Sequence, residues 1–404
     1  MKAGGVDDQV SNRTLKLMSG FAICLSLLAV ADILLRADKR GQLFWFSTDF
    51  SNYWAASRLI LEGKVQDLFG DNAVYVAHMR RFFGEDTPWR AWSYPPSFLL
   101  FIWPLGTLDF SVSMVGFLLL TLLLFLHAVS IAWRPAPDIS AFFLAPFIIA
   151  NTLSGQNGFL TAALLLYGLS LRESRPLLAG MAIGLLTIKP QLGILLPLLL
   201  LMERRWSVFM SAAITTIATF ALSVWLFGIK AWTGYVTYNW ADQTDLMKRG
   251  HGLFIDMMVS TFGAMRAIGY DAHIASYVHA AVAFAALLAF GIVVVRHDNP
   301  NIRSASLAFA TLLISPYALF YDLGAVIALG AFGYTRMASR AGAANDRIGR
   351  LAYYLLASLP LTGLVSSFFG FPIMPIVLAG CWWQLVWRQR SRSRGDGQSI
   401  LSVP

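Results

Sequence analysis

Long apolar runs separated by short polar joints set the pattern of this chain. Uncharged stretches of roughly 20 residues recur, the length a helix needs to cross hydrocarbon, and the short alternating segments of a membrane β-barrel do not occur. The pattern predicts helices at about 15–35, 110–133, 140–152, 156–171, 176–188, 190–202, 206–228, 273–295, 304–320, 323–337, 351–369 and 373–388. The expected fold class is an all-α polytopic membrane protein of about 12 transmembrane helices, several of them short, forming one integral-membrane domain over residues 1–404.

Two stretches break this pattern, 36–109 and 229–271, and both are expected as large non-cytoplasmic loops containing interfacial helices. In the first, Phe50, Tyr53, Trp54, Ser57, Ile60 and Leu61 share one side of an amphipathic helix, which predicts a helix lying in the interface plane. A second amphipathic stretch covers 73–83. The segment SYPPSFLLFIWPLGTL that follows is too short to span and starts abruptly at a double proline, so it reads as interfacial or re-entrant. The second loop carries YVTYNWADQTDLMKRGHGLF, whose aromatic and polar mixture suits a folded surface lying over headgroups. Between 140 and 202 four apolar pieces of about 12 to 16 residues follow one another, near or below spanning length. Their outward joints are SGQNG and IKPQ and their inward joints RESR and ERR; polar groups at such depth are tolerated only where they line a cavity.

Composition agrees. The chain has 404 residues, 57 % apolar and 13 % charged, with a mean hydropathy of +0.61, and soluble domains carry about twice that charge. The net charge of +9 does not mark a nucleic-acid binder. When the helices are threaded from a cytoplasmic N-terminus, the Lys and Arg excess falls on cytoplasmic joints and on the basic tail 389–404, the positive-inside asymmetry. Both termini are therefore expected in the cytoplasm. The first apolar run has no small-residue cleavage site before Arg36 and reads as a retained helix. Cys24 and Cys381 sit in apolar runs, the six histidines are scattered, and HExxH, GxGxxG and P-loop patterns are missing. No metal and no cofactor are expected.

The polar groups predicted to gather at the outer face are Asp49, Asn52, Arg58, Tyr94, Gln156, Asn157, Lys189, Gln191, His251, Tyr321 and Asp322. Lys189 interrupts LLTIKPQLGILL; a charge at membrane depth is costly and marks a functional group by default, here a lipid-phosphate contact. The plainer reading is a helix-end anchor that snorkels to the interface. Asp49 follows Ser47 and Thr48, so it suits a helix N-cap as well as an active-site carboxylate. Asp322 has the same plain reading, as a cap where the chain re-enters the membrane at Leu323.

The ordered set DFSNYWAASRLILEG, YPPSFLLFIWPLG, GQNGFLTAALLLYGL, AGMAIGLLTIKPQLGILLPLLLL and SPYALFYDL, over about residues 45–330, resembles glycosyltransferase family 87. That family comprises bacterial membrane enzymes related to polyprenol-phosphate-mannose-dependent α-mannosyltransferases. The resemblance implies the GT-C architecture, a lipid-linked sugar donor, and inversion at the anomeric carbon. It implies Asp49 as general base and places Lys189 in the family's lysine-proline joint. The segment SPYALFYD departs from the histidine-bearing version of some members, with Tyr321 and Asp322 in its place.

The function expected is transfer of a hexose, mannose by resemblance, from a polyprenyl-phosphate sugar to a glycolipid or polysaccharide acceptor. It would take place on the non-cytoplasmic face of the bacterial inner membrane. Lys189 and Arg58 are expected at the donor phosphate; Asn52, Tyr94, Gln156, Asn157, Gln191, His251, Tyr321 and Asp322 are expected at the substrates. A single carboxylate suffices because phosphate leaves without protonation, unlike the leaving group in glycoside hydrolysis. The rival reading is a lipid or sugar transporter or flippase, against which stand the two large outer loops and the lack of internal repeats.

Overall fold

The computed structural model describes residues 49–87, 89–132, 140–338 and 347–398. The helix predicted at 15–35 and the tail beyond 398 lie outside them. Among the described residues the regular structure is helical, with one isolated antiparallel bridge between Met258 and Leu319. Three helices, of 23, 22 and 25 residues, are long and apolar enough to cross a membrane, while other apolar helices run to 10–17 residues. Among the described residues three helices are clear spans and the other apolar helices are shorter; the first of the about twelve helices expected, at 15–35, lies outside the described residues.

The chain groups into two compact units. The first takes its described residues from Ser19–Ala132 and Phe147–Gly250. It opens with α1 (Phe50–Leu61) and α2 (Asn72–Phe83). Phe50, Tyr53, Ala55, Ala56, Ser57 and Leu59 of α1 are all buried, more of its circumference than an interfacial helix would hide. The cover comes from the segment Pro96–Thr107, which is a chain of short helical turns interrupted at Trp103–Pro104. Gly106 permits the approach, since a Cβ there would lie 2.8 Å from Ser57 Oγ; that hydroxyl instead accepts from Gly106 N at 2.6 Å and donates to Trp103 O at 2.6 Å.

Next come α3 (Phe110–Ala132), α4 (Ser140–Ser154, which belongs to this unit from Phe147 onward), α5 (Gly158–Leu171), α6 (Pro176–Leu185), α7 (Leu196–Met202) and α8 (Trp206–Phe227). The α6–α8 pair is the tightest in the unit. Cβ atoms added at Gly180 and Gly184 would meet Ser211 Cβ at 2.4 Å and Thr215 Cβ at 2.5 Å, the small-xxx-small contact that lets apolar helices approach closely. Gly184→Ala is therefore expected to lower the thermal unfolding midpoint of the purified protein, since overpacking costs about 1–3 kcal/mol. Gly116→Ala, whose Cβ would meet nothing within 4 Å, is expected to leave it unchanged or raise it. Equal midpoints for the two variants would contradict the close packing. At the inward joints, Arg172 Nε donates to Glu203 Oε2 at 2.9 Å with both side chains at 4 % exposure or less, which ties the end of α5 to the end of α7. The second loop is helical, with Ile229–Gly234, a π-helical turn Tyr235–Asn239, and α9 (Trp240–Arg249). Asn239 Nδ2 donates to Leu68 O and Trp92 O, which fastens this loop to the first one.

The second unit takes its described residues from Trp133–Pro146 and His251–Pro404. It contains α10 (Ala272–Arg296), α11 (Pro300–Ile314), α12 (Gly324–Ala338), α13 (Arg347–Phe368) and α14 (Met374–Gln398). The helix predicted at 304–320 begins and ends earlier. Asn299 caps it by accepting from Asn301 N at 2.9 Å, with Pro300 at the first helical position. Pro316 then biases Ser315 away from helix, and Ser315 is extended. The extended piece is fixed by Val259 N to Ala318 O at 2.9 Å and Phe320 N to Met257 O at 3.0 Å.

Candidate active site

Asp49 stands at the N-cap position of α1, but its carboxylate makes no capping bond. Both oxygens turn elsewhere within the first unit. Arg90 Nη1 donates to Oδ1 at 2.9 Å, and Gln156 Nε2 donates to Oδ2 at 2.8 Å. The cap reading of Asp49 is therefore replaced by a carboxylate held between two long-range donors. It keeps 23 % side-chain exposure, with Arg90 at 14 %, so it is open to water. Each carboxylate oxygen has more than one lone pair, which leaves acceptor capacity beyond these two bonds.

The rest of the network orients Gln156. Its Oε1 accepts from the Tyr53 and Tyr94 hydroxyls, and those hydroxyls lie 2.8 Å from each other. With Oε1 occupied by two donors, Nε2 must face Asp49, so the amide orientation is dictated by its partners. Burial, and next the neighbouring Tyr94, hold the Tyr53 hydroxyl well above the ordinary phenol range, so it stays a protonated donor. The turn carrying Gln156 is stapled by Asn151, whose Nδ2 donates to Gln156 O at 3.1 Å while its Oδ1 accepts from Gly158 N at 3.0 Å. Gly155 adopts φ +65° there, a conformation glycine takes without penalty. Arg90 is positioned through its backbone, whose carbonyl accepts from Asn72 Nδ2 at 3.1 Å. In the same unit, Arg90 Nε, Trp92 Nε1 and both amide atoms of the fully buried Asn157 have no hydrogen-bond partner among the described residues. Buried polar capacity of this kind calls for a specific explanation, and a polar ligand supplies one.

Of the expected site residues, Asp49, Tyr94 and Gln156 converge, and Asn157 follows Gln156 with its backbone N–H 3.3 Å from Gln156 Oε1. Asn52 instead accepts from Tyr75 at 2.8 Å. Arg58 is not brought to this group: it donates to Gly106 O at 3.1 Å and lies over the Trp54 ring. Lys189 joins two tight turns, Leu186–Ile188 and Pro190–Gly193, that touch α5 and the Pro96–Phe98 turn following Tyr94. At 5 % exposure it does not reach out as a snorkelling anchor. Gln191, beside it, is half-buried. His251 is exposed, and Tyr321 and Asp322 are buried, all within the second unit. Asp322 Oδ2 accepts from Leu319 N at 3.1 Å, which closes the short turn Phe320–Asp322 ahead of α12 and is a different bond from the cap of a helix starting at Leu323. Among the described residues no group of three or more His, Cys, Asp or Glu is arranged to hold a metal ion.

A family model described as Glycosyltransferase family 87 matches residues 92–316, more than half of the chain. The chain belongs to glycosyltransferase family 87. Comparison with curated proteins and with solved structures returned no match. The glycosyltransferase match includes Tyr94, Gln156, Asn157, Lys189, Gln191 and His251. Asp49 and Arg90 precede it and Tyr321 and Asp322 follow it, so the carboxylate and its guanidinium partner are additions from this structure to what the family match covers. Its helices and its family make this protein a membrane glycosyltransferase.

Proposed function

We propose that this glycosyltransferase moves a hexose, mannose on the sequence resemblance, from a polyprenyl-phosphate sugar to a lipid or glycan acceptor, with Asp49 as the general base. The supporting observation is the Asp49 carboxylate itself, which is released from helix capping and held in one orientation by Arg90 and Gln156. The acceptor hydroxyl gives its proton to Asp49 as its oxygen attacks the anomeric carbon. The new C–O bond forms opposite the breaking bond to phosphate, so the anomeric configuration inverts. The phosphate leaves with the bonding electrons and needs no proton. Its growing charge is met by Lys189, a buried cation whose turn packs against the elements that follow Tyr94 and Asn157. Asn157, whose amide atoms have no partner among the described residues, contacts the sugar. The scheme draws on the first unit alone, and its face of the membrane is the non-cytoplasmic one of a bacterial inner membrane.

The test is direct. The purified protein in lipid nanodiscs is given a labelled polyprenyl-phosphate hexose or a labelled nucleotide hexose, with an envelope lipid and glycan extract as acceptor, and products are followed by mass spectrometry. Transfer from the lipid-linked donor alone is expected. Transfer from the nucleotide sugar without any lipid-linked intermediate would overturn the proposal.

A further inference from the structure

Beside the Lys189 turn the first unit carries a groove of about 380 Å³ that the transfer scheme does not use. Its walls are Leu186, Pro190 and Gly193 on one side and Phe209, Ala213 and Ile217 of α8 on the other. The groove exists for a local reason. Gly180 and Gly184 clamp α6 onto α8, and immediately afterwards the chain abandons α-helix for two tight turns through Pro190. Past the clamp the partner of α8 thins out, and small residues, Gly193, Ala212 and Ala213, leave its flank bare. The lining is overwhelmingly apolar, and α8 is one of the three span-length helices. The space is therefore suited to hydrocarbon and not to a polar chain.

Lys189 separates Thr187 from Pro190, both of which line the groove, yet it is itself buried in the unit. The joint between the two turns thus combines residues of the apolar wall with a lysine buried in the unit. A molecule that uses both has an anionic head and a hydrocarbon chain leaving it at once. We propose that this groove seats the isoprenoid chain of the sugar donor, with its phosphate drawn in toward Lys189. The assignment rests on the lipid-phosphate donor proposed above and extends it, from the phosphate to the carrier's hydrocarbon, making this wall the determinant of donor chain preference.

The experiment fills the groove. Gly193 has an ordinary φ, and its Cβ would meet Leu196 Cδ1 at 3.6 Å and Leu186 Cδ2 at 3.8 Å, so Gly193→Leu places a side chain in the groove without backbone strain. Ala213→Phe fills it from the α8 side, which keeps the test alive if one variant fails to fold. Ile214→Trp is the control, since Ile214 is 62 % exposed, on α8, and does not line the groove. KM is measured in nanodiscs for a long-chain polyprenyl-phosphate hexose and for a citronellyl-phosphate hexose. Displacing a few methylene-sized contacts is expected to raise the long-chain to short-chain KM ratio about tenfold in both filling variants, and to leave it at the wild-type value in Ile214→Trp. A wild-type enzyme that uses neither donor overturns the donor reading and the groove with it. A wild-type enzyme that uses the long-chain donor, together with filling variants of unchanged ratio, overturns the groove alone and leaves it to bulk phospholipid acyl chains.

Discussion

Asp49→Asn is expected to lower kcat by about 10²- to 10⁴-fold, the usual contribution of a positioned general base, while the fold and the donor affinity persist. The hydrogen-bond network explains why the loss should be confined to chemistry. Arg90 and Gln156 each donate to a different oxygen of the carboxylate. An asparagine offers one oxygen, which Arg90 retains, and an NH₂ group that now faces Gln156. The Gln156 amide can answer by turning over, so that its oxygen receives the new NH₂ and its nitrogen faces Tyr53 and Tyr94, whose hydroxyls rotate to accept. Arg90 and Gln156 each keep a bond to the new side chain, the long Asn157 N–H contact to Oε1 is given up, and the proton acceptor is gone. The measurements are initial rates with a saturating acceptor, donor binding, and the thermal midpoint of the variant. Wild-type rates would return Asp49 to a structural role.

Lys189→Met is expected to produce the second large loss, about 10²- to 10³-fold in kcat, on the scale of removing one preorganised stabiliser of developing charge. Methionine keeps the length of the side chain and fills the same buried space, so packing of the turn on α5 is retained. Charge on the phosphate rises as the glycosidic bond breaks, so the effect on kcat is expected to exceed the effect on donor binding. Lys189→Arg is expected to recover part of the rate, because it restores charge with a different shape. Initial rates across a donor titration separate the two effects. An unchanged kcat in Lys189→Met would place the phosphate elsewhere in the protein.

Much of the fold was readable because long apolar runs carry their own boundaries. The helices predicted at 110–133 and 206–228 are observed as Phe110–Ala132 and Trp206–Phe227, and the second stops at Gly228, whose φ of +80° suits glycine alone. The failures occur where backbone punctuation outweighs hydropathy. Pro316 ends the helix predicted to run to 320, whereas the 93–108 piece, expected to be too short to span, is a short apolar helical segment, Pro96–Thr107, turned at Trp103–Pro104. Tertiary cover was also invisible: α1 has an amphipathic pattern, yet Pro96–Thr107 buries the side that an interfacial helix would leave bare.

The site divides the same way. Asp49, Tyr94 and Gln156 stood out as polar groups at outward joints, and they meet. Arg90 was missed because it sits among ordinary loop charges, 41 residues from Asp49, and only the folding of the whole first loop brings the two together. The expected cation, Arg58, looked closer in sequence. On a helix, however, nine residues of separation amount to about 13 Å of rise and half a turn of rotation, which sends its side chain to the opposite face. The signal that would have favoured Arg90 was position: it lies in the one polar stretch between α2 and Tyr94, where a guanidinium need not be packed against a helix.

The measurement that bears most directly on a one-carboxylate mechanism is the anomeric configuration of the product relative to the donor. NMR coupling constants of the isolated linkage are compared with those of the polyprenyl-phosphate hexose supplied. A single displacement driven by the Asp49 base gives the opposite anomer. A product of retained configuration would require a second nucleophile and a glycosyl-enzyme step, and would contradict the account built on Asp49.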